Sequence, residues 1–139
     1  MESEEIDYAS LGKECLPELL GIEIVAVGDK FGTGRIQIKK SHLAPNGYLH
    51  AGTIVTLADT LAGYGCVYNL PEKAESFTTI ELKSNFLGTA REGSIIAEAK
   101  MEHGGRTTQL WDVVVKHEQT GKTLARFRCT QFIIYPRPQ

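Results

Sequence analysis

The sequence predicts an α+β fold in which a curved antiparallel β-sheet wraps around one long central helix. Three observations predict it. Residues 51–68 are the one long helix candidate, and they are apolar on nearly every face. Residues 76–134 carry the period-two alternation of strands through four successive segments separated by turn signals. A short hairpin signal precedes the helix. A helix without a clean polar stripe needs cover on more than one side, so it belongs against or inside the sheet.

The elements follow in order. Two short helical pieces are expected within about 1–20. Ser3 to Leu11 opens on a capping pattern and stops at Gly12, and Cys15 to Leu20 carries Pro17 early with Gly21 after it. Residues 22–27 and 31–39 read as strands joined by the turn Gly28-Asp29-Lys30. Residues 40–50 read as a loop, with Pro45-Asn46-Gly47 as its turn signal. The helix over 51–68 contains Gly63 and Gly65, each of which costs about 1 kcal/mol of propensity relative to alanine, so close packing is the expected return. Strands follow over 76–86, with Ile80 and Leu82 alternating against Glu81 and Lys83, and over 94–102, 107–117 and 123–134. His103-Gly104-Gly105 and Glu118 to Gly121 are the expected turns, and Trp111, Val113 and Val115 share one face.

The 139 residues fit one domain, 1–139, large enough to hold together without disulfides or metals. The net charge of −2 is spread along the chain, and no basic face of the kind that binds nucleic acid is visible. The three cysteines, Cys15, Cys66 and Cys129, have no metal-ligand or disulfide-framework spacing. An acidic start without an early apolar run, and the lack of a run near the ~18 residues of a membrane span, lead us to expect a cytoplasmic protein with no membrane partner.

Asp59 is the anomaly. It stands mid-helix within Leu57-Ala58-Asp59-Thr60-Leu61, where aspartate is a poor helix former and its charge is costly to bury. Either it faces solvent or local backbone, or it faces a cavity or an interface. His50-Ala51-Gly52 is the second feature. It lies at the helix start, where free backbone N–H groups and the positive end of the dipole favour negative charge and would stabilise an oxyanion. His50 is equally readable as a loop residue or helix cap. Asp59 is eight residues beyond Ala51, about 12 Å along the axis at 1.5 Å per residue. Both groups can meet one carbonyl only if a second, antiparallel helix supplies one of them, as twofold symmetry does.

The stretch Gly47-Tyr48-Leu49-His50-Ala51-Gly52 through Leu57-Ala58-Asp59 resembles the helix-start motif of hotdog-fold thioesterases, nearest to the phenylacetate-degradation and 4-hydroxybenzoyl-CoA thioesterase type. The resemblance covers roughly residues 16–134 and implies hydrolysis of an acyl-CoA to a free acid and CoA. It implies Asp59 as nucleophile or general base and the Ala51 N–H as the group that polarises the thioester carbonyl. His50 would hold the thioester end, with Gly52 completing the motif, and Thr79 would assist the water. Arg91 and Arg106 match positions near strand ends that hold CoA phosphates, for which the guanidinium fork is suited. The acyl group is expected along the helix interface against Leu61, Tyr64 and Tyr68, and Asn46 is counted with that pocket although it also fits the turn. No cofactor beyond the CoA of the substrate is implied. A dimer is the minimal unit and a homotetramer is expected.

Two departures stand out. Ala51 replaces the first of two glycines, which keeps the N–H but adds a methyl, and Ala44 stands where many members carry an Asn or Gln that positions water. The competing readings are a hotdog hydratase or dehydratase, which would pair His50 with Asp59 across two subunits, and a non-enzymatic acyl-CoA sensor.

Overall fold

In the computed structural model, which describes residues 5–138, six strands form one antiparallel sheet in the order β1-β2-β4-β5-β6-β3. These are β1 (Glu23–Gly28), β2 (Phe31–Gln37), β3 (Ser76–Phe86), β4 (Ser94–Gly104), β5 (Thr108–His117) and β6 (Thr123–Ile134). The helix α3 (Ala51–Tyr68) lies in the concave face and touches all six strands. This is the hotdog architecture, and α3 spans the residues its composition indicates.

Packing explains why the helix tolerates its glycines. A Cβ on Gly65 would stand 2.4 Å from Cη2 of Trp111, and one on Gly63 would stand 2.9 Å from Cζ of Phe77. The missing side chains let the indole of β5 and the phenyl ring of β3 approach the helix backbone. Around them the core is continuous: Ile54, Leu57 and Leu61 of α3 meet Ile36, Ile95, Val113, Val115 and Phe127 from the inward rows of the strands. Each large side chain buried in this way contributes about 1.5–3 kcal/mol. The C-terminal end of α3 is locked by Asn69. Its side chain accepts from Lys30 N–H at 3.0 Å and donates to the carbonyls of Gly28 and Gly65 at 3.1 and 2.7 Å, tying the β1–β2 turn to the helix.

Several local expectations need correction. The Ser3 cap lies outside the described residues, and the first helix α1 (Tyr8–Leu11) is instead capped by Asp7, which accepts from Ser10. The second, α2 (Leu16–Leu19), begins with Pro17 as its second residue. The loop before α3 contains a 3₁₀ turn, Lys40–His42, held because His42 accepts from Lys39 N–H at 2.9 Å through Nδ1 and contacts the Leu20 carbonyl at 2.7 Å through Nε2. β4 continues to Gly104, which the sequence places in a turn. In β3 the simple alternation fails because the register with β6 slips between Thr79 and Glu81. Ile80 and Leu82 are both exposed in the single chain, at 58% and 42%.

Candidate active site

The start of α3 is built by its own loop. Gly47 turns the chain with φ +87°, Tyr48 N–H donates to Asn46 Oδ1 at 3.1 Å, and Leu49 N–H donates to the Ala90 carbonyl at 2.9 Å. Asn46 is therefore committed to an exposed turn and does not converge with Asp59. His50 is the helix N-cap: its Nδ1 accepts from Gly52 N–H at 2.7 Å. Two consequences follow. The Gly52 N–H is already used, and the Ala51 N–H is left with no acceptor among the described residues, as the first donor of a helix usually is. In the neutral ring, moreover, an accepting Nδ1 puts the proton on Nε2, so the exposed edge of His50 offers a donor beside Ala51. Glycine at 52 is what permits this cap, since a Cβ there would stand 2.9 Å from the His50 Nδ1.

Asp59 is the one charged residue of α3. It is half-buried on the flank of the helix turned toward β3, and the Thr79 hydroxyl lies 3.2 Å from its Oδ1. Burial pushes its carboxyl above the ordinary value, and the Thr79 hydrogen bond pulls back against that. A carboxylate of raised basicity is better suited to take a proton near neutral pH than a solvated one. Thr79 also lies 2.6 Å from Gln131 Oε1, a contact that sequence reasoning missed because glutamine on a strand carries no motif.

The other expected site residues scatter. Leu61 is fully buried, with Gly32 and Gly34 of β2 beneath it, so it is core and not a pocket wall. Tyr64 is roughly 140° around the helix from Asp59, and Tyr68 roughly 180°. Tyr64 lines a cavity of about 400 Å³ with Tyr8, Gly12 and Pro17, and Tyr68 borders β1. Neither shares the Asp59 flank. Arg91 stacks 4.2 Å above the Tyr48 ring and so stands beside the helix start. Arg106 sits in the β4–β5 turn near Asn69 and Lys73, at the other end of α3. The two arginines thus stand near opposite ends of a helix about 27 Å long and do not converge within one chain.

Comparison with known proteins agrees with this fold. Residues 46–124 match the sequence profile of the thioesterase superfamily. The chain is 34% identical over 115 residues to 1,4-dihydroxy-2-naphthoyl-CoA hydrolase of Listeria monocytogenes, an alignment covering 83% of this chain and 92% of that one. It is 27% identical over 122 residues to acyl-coenzyme A thioesterase PaaI of Escherichia coli, covering 87% and 84%. Among solved structures, a point mutant of thioesterase PA1618 from Pseudomonas aeruginosa superposes with a TM-score of 0.86 at 28% identity, covering 91% of each chain.

Proposed function

The chain belongs to the thioesterase superfamily, and from that premise we propose that it hydrolyses an acyl-CoA thioester at a site shared between two copies of itself. The observation that carries the reading is Asp59: a single charge on an otherwise uncharged helix, half-buried and hydrogen-bonded to Thr79. Helix geometry keeps it about 12 Å from the free Ala51 N–H of its own chain. A second copy running antiparallel brings the Ala51 N–H of one helix opposite the Asp59 of the other, giving two equivalent sites per dimer.

The chemistry then divides between the copies. The thioester oxygen sits on the Ala51 N–H, with the His50 Nε2–H beside it, where the helix dipole stabilises the charge that develops on that oxygen. Asp59 of the facing copy either takes a proton from water as the water attacks the carbonyl carbon, or attacks that carbon itself to form an anhydride that water opens. In both routes the C–S bond breaks, the thiolate of CoA leaves and is protonated, and the acid is released. The edge strand supports the assembly. β3 lies at the rim of the sheet, and its Ile80, Leu82 and Phe86 are exposed, as is Leu87 just after it. An uncovered apolar edge of that kind is a template for pairing with another chain. Arg91 beside the helix start would meet the phosphates of CoA, and the names of two relatives, a naphthoyl-CoA hydrolase and an acyl-coenzyme A thioesterase, support the CoA ester as the substrate class.

The test is thiol release from short, medium, long and aromatic acyl-CoAs, with Asp59→Asn beside the wild type. The variant should lose about 100-fold or more of turnover. Wild-type turnover in Asp59→Asn rejects the assignment, and full activity in a strictly monomeric protein rejects the shared site.

A further inference from the structure

The hydrogen bonds from Asp59 do not end at Thr79. Gln131 faces inward from β6, directly opposite Thr79 in the strand register, and is fully buried. Its Oε1 lies 2.6 Å from the Thr79 hydroxyl, while its amide nitrogen has no partner. The next residue in the same row, Gln109 of β5, shows the contrast. Gln109 accepts from the Trp111 indole N–H at 2.8 Å and donates to the Asn69 carbonyl at 2.9 Å, so both ends of its amide serve the fold. A buried amide with an idle nitrogen is costly, and an apolar side chain would fill the place without that cost. The position asks for another explanation.

The Thr79 hydroxyl supplies one. It has a single proton and two acceptors in reach, Asp59 Oδ1 at 3.2 Å and Gln131 Oε1 at 2.6 Å. With the carbonyl end of Gln131 toward it, Thr79 donates to Gln131 and turns a lone pair to Asp59, which suits a protonated carboxyl that can donate in turn. With the amide rotated half a turn, an operation that exchanges two ends of nearly equal size, Nε2 donates to Thr79 and Thr79 donates to Asp59, which suits the carboxylate. An amide can serve both states. A glutamate there would bring a like charge toward Asp59, and a leucine would supply neither partner.

We propose that Gln131 is a positioning residue for Asp59, acting through Thr79: its amide turns over as Asp59 gains or loses its proton, and the chain of hydrogen bonds reverses direction with it. This rests on the reading of Asp59 as the catalytic carboxylate. Among the described residues of one chain, no other group near Asp59 blurs the coupling, and the His50 that a facing copy would add is common to the wild type and Asp59→Asn, so their comparison removes it. Cys129, on the same inward row of β6, has its thiol pushed up to about 12 by burial and stays neutral. α3 has no second charge, and Gln109 is neutral. Glu81 pairs with Thr130 past the β3 irregularity, on the outward row.

The experiment uses the intact protein. The side-chain amide of Gln131, assigned by through-bond NMR, is followed against pH in the wild type and in Asp59→Asn. The signals should move with the same midpoint as the acid limb of kcat in the wild type, and stay flat in the variant. In parallel, Gln131→Met should lower kcat about tenfold with KM within about twofold, and should shift the acid limb to higher pH, because Thr79 loses the donor behind it. In a Thr79→Ala background the same substitution should cost nothing more, since the effect runs through that hydroxyl. An amide signal indifferent to Asp59, or an equal further loss without Thr79, overturns the proposal. If Asp59→Asn keeps full turnover the catalytic reading fails instead, and the amide titration still reports on the coupling by itself.

Discussion

Replacing Ala51 by proline exchanges one N–H at the site for a ring carbon and leaves the helix with what it wants. Proline is favoured in the first turn of a helix because its fixed φ suits that position and its missing N–H is an orphan there anyway. Here the preceding residue, His50, already holds φ −69° and ψ 135°, the extended region that proline imposes on its neighbour. Ala51 is exposed, so the ring has room, and its N–H bonds to nothing among the described residues. Folding should therefore be unchanged or improved by about 0.4–1 kcal/mol, the usual return from stiffening the unfolded chain at a compatible position. Turnover should nevertheless fall by about 10²–10³, the effect of losing one oxyanion donor. Thermal melting and thiol release on the same preparation separate the two. Mixing then tests the sharing of the site. Ala51→Pro and Asp59→Asn each spoil both sites of their own dimers, but a mixed dimer keeps one intact site. Random exchange at equal concentrations should restore about a quarter of wild-type activity. A folded Ala51→Pro protein with normal turnover, or mixtures that never recover, would refute the reasoning.

Asp59→Asn also carries a stability signature. The folded carboxyl titrates above its ordinary value because of burial, so between those two values the folded state holds more protons than the unfolded one, and stability falls as pH rises through that window. The variant should melt at or above the wild type at neutral pH, with the gap closing below about pH 4; a lower melting temperature at pH 7 contradicts the burial cost. Gly65→Ala should destabilise by about 1–2 kcal/mol net, since overpacking against Trp111 exceeds the helix-propensity gain, whereas Gly63→Ala meets only the tip of a half-buried Phe77 and should cost less; denaturant midpoints rank the pair. Leu82→Glu places a charge on the exposed rim of the sheet and should shift sedimentation toward monomer with parallel loss of turnover, and an active monomer would count against β3 as the interface.

The large elements were legible because their signals are periodic. A long apolar segment ending near Pro71 and four alternating strands leave few alternatives, and Trp111, Val113 and Val115 are buried on one face as the alternation implies. Asp59 and His50 were legible for a different reason: each breaks a local rule, a charge mid-helix and an imidazole at a helix start. What the sequence conceals is pairing. The slip after Thr79 is set by how β3 meets β6, not by β3 alone. The use of Gly52 N–H by His50 is a matter of one ring orientation, and it leaves the Ala51 N–H as the free donor at the helix start. Gln131 obeys no pattern at all, and its meaning appears only when the register sets it opposite Thr79. Tyr64 and Tyr68 lie on other flanks than Asp59, which a helix apolar on many faces does not announce in its sequence.

The exposed features of the single chain make one argument together. Asp59 is half-buried and hydrogen-bonded to β3, a strand that leaves Ile80, Leu82 and Phe86 exposed: the carboxyl is too dry for its charge, and the apolar side chains of the strand are too wet. On the proposed reading, a second copy would resolve the apolar part by covering Leu82 and Phe86. It would also bring an unpaired N–H and the positive end of a helix dipole toward the carboxylate, lowering the electrostatic cost of its charge. The same contact would then complete the core at the sheet edge and the site at the helix. Stability and activity should be lost together when the rim is charged, and separately when Ala51 or Asp59 is changed.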